Sequence, residues 1–214
     1  MRYILFDLYG LFYNLKSPQL FAVIAERVGA DPEKLRPLFS RTYRPDYDAG
    51  LLSAEEYWHL IGADLGIEID WRDAVSAEIE TFAGVKEEMV DFLRELHGAG
   101  IAVGLLSNEP LELTRRTRTR EWVRLFEPAM FSCEMGRIKP DPAIFELALE
   151  RIRAVVGEDL RPEDVLFTDD TLRNIEVARD LGFMVHHFDG VDGLRAAVAA
   201  AGFTLPTRGG VSLA

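Results

Sequence analysis

The chain has 214 residues, 48% of them hydrophobic and 28% charged, a balance ordinary for a globular protein and long enough to bury a sizeable core. Its formal net charge of −12 repels nucleic acid and anionic membranes, so the expected partner is a small molecule. One cysteine, Cys133, excludes an intrachain disulfide, and the short apolar N-terminus and the lack of a window of roughly 18 apolar residues argue against a signal peptide or a membrane span, so the expected location is cytoplasmic.

In chain order, Tyr3 to Phe6 is a short apolar run stopped by Asp7, the pattern of a strand covered on both faces. The next stretch reads as helix throughout: Pro18 to Val28, Pro32 to Ser40, Ser53 to Leu65 and Trp71 to Phe82. Ser53-Ala54-Glu55-Glu56 is a helix start, with a capping hydroxyl and acids in the first turn. Phe39, Trp58, Trp71 and Phe82 fall within these patterns and are expected to form the core of the block. The segment Arg41 to Gly50, polar and aromatic, is open to two readings, a substrate-facing surface or an exposed loop.

Beyond residue 83 the patterns alternate. Lys86 to His97 carries an apolar stripe closed by Gly98 and Gly100. Ile101 to Leu106 is apolar and ends at Ser107-Asn108. Phe131 to Glu134 reads as a strand end, with Cys133 a packed side chain. Asp141 caps a helix from Pro142 to Val156, with Pro in its first position. Val165 to Phe167 ends at Thr168-Asp169-Asp170, a helix follows from Leu172 to Leu181, and Met184 to His187 forms a further strand. The small, polar tail from Pro206 to Ala214 is expected to be poorly ordered. Strands alternating with helices imply a parallel sheet. The expected fold is therefore α/β, a Rossmann-like core of residues 1–13 and 84–214 with a helical cap, 14–83, inserted after the first strand.

In open parallel sheets, ligands sit outside the carboxyl ends of the strands. That rule gathers Asp7, Ser107, Asn108, Asp169 and Asp170 in one place, with Lys139 in a loop that can join them. Carboxylates with one ammonium suit an anionic substrate bridged to a hard cation, and Mg²⁺ fits oxygen donors of this kind best. A carboxylate such as Asp7 can attack phosphorus. A cation and Lys139 would offset the repulsion between the two anions, and Ser107 and Asn108 would donate to the remaining phosphate oxygens.

These residues carry a resemblance. Phe6-Asp7-Leu8-Tyr9-Gly10, Leu106-Ser107-Asn108, Lys139-Pro140 and Phe167-Thr168-Asp169-Asp170 resemble, in order, the four motifs of the haloacid dehalogenase (HAD) superfamily, and 14–83 is similar to its helical cap. Within it, the chain looks nearest to a sugar-phosphate phosphatase branch. The resemblance implies that Asp7 is the nucleophile, that Ser107 and Asn108 contact phosphate and that Lys139 balances charge. It also implies Mg²⁺ on Asp7, Asp169, Asp170 and the Tyr9 carbonyl, with Asn174 where many relatives place another acid. One position departs: phosphatases of the superfamily usually carry Asp two residues after the nucleophile, as acid and base, and here Tyr9 stands there. A phenol, with a pKa of about 10, is a poor base at neutral pH.

Three readings stay open on the sequence. One is a Mg²⁺-dependent phosphomonoester phosphatase lacking the usual acid. Another is a metal-free 2-haloacid dehalogenase, in whose first motif Tyr is normal and for which Arg41 or Arg44 could hold the substrate carboxylate. The last is a non-catalytic binding protein on a hydrolase scaffold. The cluster Arg115, Arg116, Arg118 and Arg120 reads as a solvated helix face, His59 as a surface or packed residue, and His186 and His187 as structural, since neighbours on a strand point to opposite faces.

Overall fold

A computed structural model describes residues 2–14, 18–81 and 84–205, so the expectations for Phe82 and for the tail from Pro206 lie outside the described residues. Five parallel strands form the sheet: β1 (Tyr3–Phe6), β2 (Val103–Ser107), β3 (Ala129–Phe131), β4 (Val165–Asp169) and β5 (Met184–His187), in the order β3-β2-β1-β4-β5. The chain starts in the middle and winds outward in both directions, so the order reverses beside β1. Asp7, Asn108 and Asp170 therefore leave adjacent strands at the same edge.

Alternation along β1 divides the core in two, because successive strand residues face opposite sides of a sheet. Ile4 and Phe6 pack with helices α6 (Glu87–Gly98) and α10 (Val191–Ala200). Tyr3 and Leu5 pack with α8 (Pro142–Val156) and α9 (Leu172–Asp180). The loop after the first strand is pinned by aromatic packing: the Phe12 ring stacks on Trp122 at 5.1 Å and meets Phe6 edge-on at 5.7 Å. Burying such a ring stabilises the fold by about 1.5–3 kcal/mol, which holds this loop close to one geometry.

Between β1 and α6 lie α1 (Pro18–Val28), α2 (Pro32–Pro37), α3 (Arg44–Asp48), α4 (Ala54–Leu65) and α5 (Trp71–Thr81). They bury a cluster of their own around Phe39, Tyr47, Tyr57 and Trp58. Ser53 caps α4 through the expected reciprocal box with Glu56. Two features differ from the sequence reading. The helix expected to run to Ser40 gives way at Leu38–Thr42 to a π-helical turn, which buries Phe39, sets Ser40 at the rim of the cavity described below and leaves Arg41 exposed. The segment expected as a possible loop contains α3, which brings Arg44 and Asp48 to the interior. The strand end expected at Phe131 to Glu134 is the end of β3, which closes at Phe131, and the small-residue helix α10 carried too weak a pattern to foresee. Cys133 sits in the 3₁₀ turn Ser132–Glu134, just past β3.

Candidate active site

Asp7 and Asp169 leave the ends of adjacent strands with almost no exposure and share one buried cation. Lys139 Nζ donates to Asp7 Oδ1 at 2.6 Å and to Asp169 Oδ2 at 2.8 Å. Asp169 is itself oriented by the Thr171 amide at 2.8 Å and the Asn174 side chain at 2.9 Å. Burial works against the charge on Lys139, but Asp169 and Asp7 outweigh it and hold the ammonium pKa above its ordinary value. Burial also pushes Asp7 up, against the pull of Lys139 and with added repulsion from Asp169, to about 7. Asp170, half-buried, is raised by burial and by Asp169.

The Asp7, Asp169 and Asp170 carboxylates each bring an oxygen into a group whose members all lie within 4.8 Å of one another. Three carboxylates against one ammonium leave an excess of negative charge in a buried place. An all-oxygen donor set with that excess fits a hard divalent cation such as Mg²⁺. Gly10 makes room for this approach: it adopts φ +81°, and a Cβ there would run into the Asp170 carboxylate. The Ser107 hydroxyl is buried at the end of β2, with no hydrogen-bond partner among the described residues.

Other expected residues are held by partners of their own. The Asn108 side chain bonds at both ends to the Lys139 main chain, donating to its carbonyl and accepting from its amide at 2.8 Å each. The expected phosphate donor thus clamps the lysine loop. The Tyr9 hydroxyl donates to Glu109 Oε1 at 2.5 Å, and burial followed by the Glu109 charge raises its pKa well above the phenol value. Of Tyr9, only the backbone carbonyl is thus suited to a cation. Glu109, assigned no chemistry from the sequence, is fully buried, accepts also from Thr117 Oγ1 at 2.7 Å, and is pushed by burial to about 7. A lone glutamate beside a motif carries no local signal of burial, so its pairing with Tyr9 could not be read from the sequence.

A cavity of about 460 Å³ opens above Asp7, within the usual size of a small-ligand site. On the sheet side it is lined by Asp7, Lys139, Asp170 and Asn174, and on the helical side by Phe39, Ser40, Arg44 and Asp48. The two sides are joined directly. The Ser132 hydroxyl donates to the Asp48 carbonyl and accepts from the Glu109 amide, and Tyr47 donates to Glu112 at 3.0 Å.

The expectation that Arg41 or Arg44 holds a substrate carboxylate meets this geometry. Arg41 is exposed and lines a separate depression with Phe21, Glu33 and Arg36. Arg44 does reach the cavity, but its guanidinium is already bridged, Nε to Asp48 Oδ1 and Nη1 to Glu78 Oε1, each at 2.6 Å. Both carboxylates outweigh the cost of burial and raise its pKa. Arg115 and Arg116 are exposed on α7 (Leu111–Thr117), and Arg118 pairs with Glu134 at 2.7 Å. His59 is exposed on α4, and His187 meets the Asp170 carbonyl at 3.0 Å.

Comparison with known proteins agrees with this architecture. Residues 1–182 match the haloacid dehalogenase-like hydrolase family, and the chain belongs to that family. It is 27% identical over 143 residues to the sesquiterpene phosphatase astK of Aspergillus oryzae, covering 66% of this chain and 69% of that protein. Its fold is similar to the HAD family enzyme bt-2542 of Bacteroides thetaiotaomicron in complex with magnesium and inorganic phosphate: TM-score 0.70, 23% identity, 87% of this chain and 93% of the other. It is also similar to the L-2-haloacid dehalogenase RSc1362: TM-score 0.61, 21% identity, 86% and 85% covered. Among the described residues no helix is long and apolar enough to cross a membrane.

Proposed function

We propose that this hydrolase is a Mg²⁺-dependent phosphomonoester phosphatase in which Asp7 forms an aspartyl-phosphate and the helical segment 14–83 acts as a cap. The observation that carries the reading is the convergence of the Asp7, Asp169 and Asp170 oxygens at one end of the cavity, with Lys139 bridging two of them. Asp7, Asp169, Asp170 and the Tyr9 carbonyl would hold the cation, which supplies charge neutralisation between the nucleophile and an entering phosphate.

Asp7 Oδ attacks phosphorus, the ester P–O bond breaks, and the alkoxide leaves toward the cap and takes a proton from solvent. Lys139 keeps Asp7 and Asp169 fixed and offsets charge on the transferring group, while the Ser107 hydroxyl donates to one of its oxygens. Water then attacks the aspartyl-phosphate and regenerates Asp7. Tyr9 does not serve as base for this step, because its proton is committed to Glu109.

The 2-haloacid reading is less well supported, since a halide leaving group needs no cation and three gathered carboxylates would oppose a carboxylate substrate. The experiment is phosphate release from a panel of sugar phosphates and an aryl phosphate, with and without Mg²⁺, and with Asp7→Asn as control. Release dependent on both Mg²⁺ and Asp7 is expected. Halide release from 2-chloropropionate without phosphate release would replace this reading with the dehalogenase.

A further inference from the structure

We infer that the alcohol half of the substrate carries no charge: the enzyme takes phosphate monoesters of neutral alcohols and discriminates against esters bearing a second anion. The inference rests on the phosphatase reading and deepens it. It comes from the cap end of the cavity, where a leaving group must lie once its phosphate is beside Asp7.

The charge there is determined by three residues. Arg44 and Asp48 line the cavity, and Glu78 stands behind Arg44. One guanidinium is set against two carboxylates, each at 2.6 Å, all three buried. The guanidinium lies over the Phe39 and Tyr47 rings, with centroids at 5.3 and 5.7 Å, so aromatic packing adds to the carboxylates on Nε and Nη1. Tyr47 leads to a further carboxylate, Glu112. Among the described residues lining the cavity, the cations are Lys139 and Arg44, and each is already bridged by two carboxylates.

A second phosphate or a carboxylate at this end would have to displace Asp48 or Glu78 from Arg44, or lie beside them unpaired. Both are costly, because like charges brought together in a desolvated place repel strongly. An uncharged alcohol meets no such barrier. Its carbon skeleton can rest on Phe39, and its hydroxyls can bond to Ser40 and to the polar edge of the Arg44–Asp48 pair. The same arrangement that would reject a haloacid thus selects among phosphate esters, by repulsion as much as by attraction.

The test uses matched pairs that differ by one carboxylate: glycerol 3-phosphate against 3-phosphoglycerate, and phenyl phosphate against 4-carboxyphenyl phosphate. Phosphate release is measured with Mg²⁺ on the wild-type enzyme and on Asp7→Asn. The neutral member of each pair that turns over is expected to lead by roughly a hundredfold in kcat/KM. Asp48→Asn and Glu78→Gln, which each remove one carboxylate from the guanidinium, should narrow that ratio by about tenfold, chiefly through KM for the charged ester. Should either buried variant fail to fold, the wild-type ratio still decides. Equal rates, or a lead for the charged esters, would overturn the inference and leave the phosphatase standing. Absence of Asp7-dependent release from all four esters would overturn the phosphatase reading and the inference with it.

Discussion

Two buried cations hold the two ends of one cavity, and each is bridged by a pair of carboxylates. Lys139 joins Asp7 to Asp169 at the sheet end, and Arg44 joins Asp48 to Glu78 at the cap end. The pairs look alike, but their surroundings differ. The sheet end adds a third carboxylate, Asp170, keeps in Ser107 a hydroxyl without a partner among the described residues, and places Asp7 on the cavity wall. The cap end stacks its cation between aromatic rings and leaves none of the guanidinium edges that bridge Asp48 and Glu78 for a ligand. One cation faces three carboxylates at the sheet end and two at the cap end, so the larger excess of negative charge lies where the oxygens converge, while the cap pair is packed among aromatic rings. Burial is common to both, so burial alone does not mark the reactive end.

The two ends of the cavity should respond in opposite ways to the loss of a charge. The largest effect is expected for Asp7→Asn, which should lower kcat by roughly four orders of magnitude or more, as loss of a nucleophile does. The same variant should match or exceed the wild type in urea denaturation, because burial first and then repulsion from Asp169 work against the charge it removes. Arg44→Leu should do the reverse to the fold: it strands Asp48 and Glu78 in the interior and should cost about 3–5 kcal/mol of stability by the same measurement. If Arg44→Leu were neutral, the cap pair would not be the structural member.

Mg²⁺ sharpens the contrast further. At a hundred times its dissociation constant it should stabilise the wild type by about 2.7 kcal/mol in thermal melts, and Asp169→Asn or Asp170→Asn should lose most of that gain. Asp48→Asn should keep it, since among the described residues the oxygens that gather closely enough to hold a metal are those of Asp7, Asp169 and Asp170. A smaller effect is expected at Tyr9. Asp in that position is too short to reach Glu109 and would present a carboxylate to the cavity, so Tyr9→Asp should raise kcat by about tenfold, read as phosphate release at saturating substrate. No gain would mean that proton transfer at this position does not limit turnover.

Much of the sheet end was legible in the sequence. Tyr3 to Phe6 and Met184 to His187 are strands with the expected bounds, and the helix Pro142 to Val156 matches residue for residue, as does Pro18 to Val28 in the helical segment. Of the other two foreseen strands, the one expected from Ile101 begins at Val103 and runs on to Ser107, and the one from Val165 runs on to Asp169, because polar residues at a strand end can still complete the ladder. Asp7, Lys139, Asp169 and Asp170 gather as the carboxyl-end rule predicts. The cap end was far less readable. Arg44 looked available for a ligand, and nothing near it in the chain announces Glu78, 34 residues further on.

What the sequence determined by itself is local or periodic: which runs are strands, which are helices, in what order the chemical residues fall at the strand ends, and hence the family of hydrolases to which the chain belongs. Those signals survive in sequence because backbone periodicity is set by neighbours a few residues apart. Only the tertiary structure decided which charges neutralise one another. Asn108 became a clamp for Lys139, Glu109 a buried partner of Tyr9, and Arg44 the bridge between Asp48 and Glu78. Charge pairing in an interior depends on which elements pack together, and desolvation then makes each pairing obligatory.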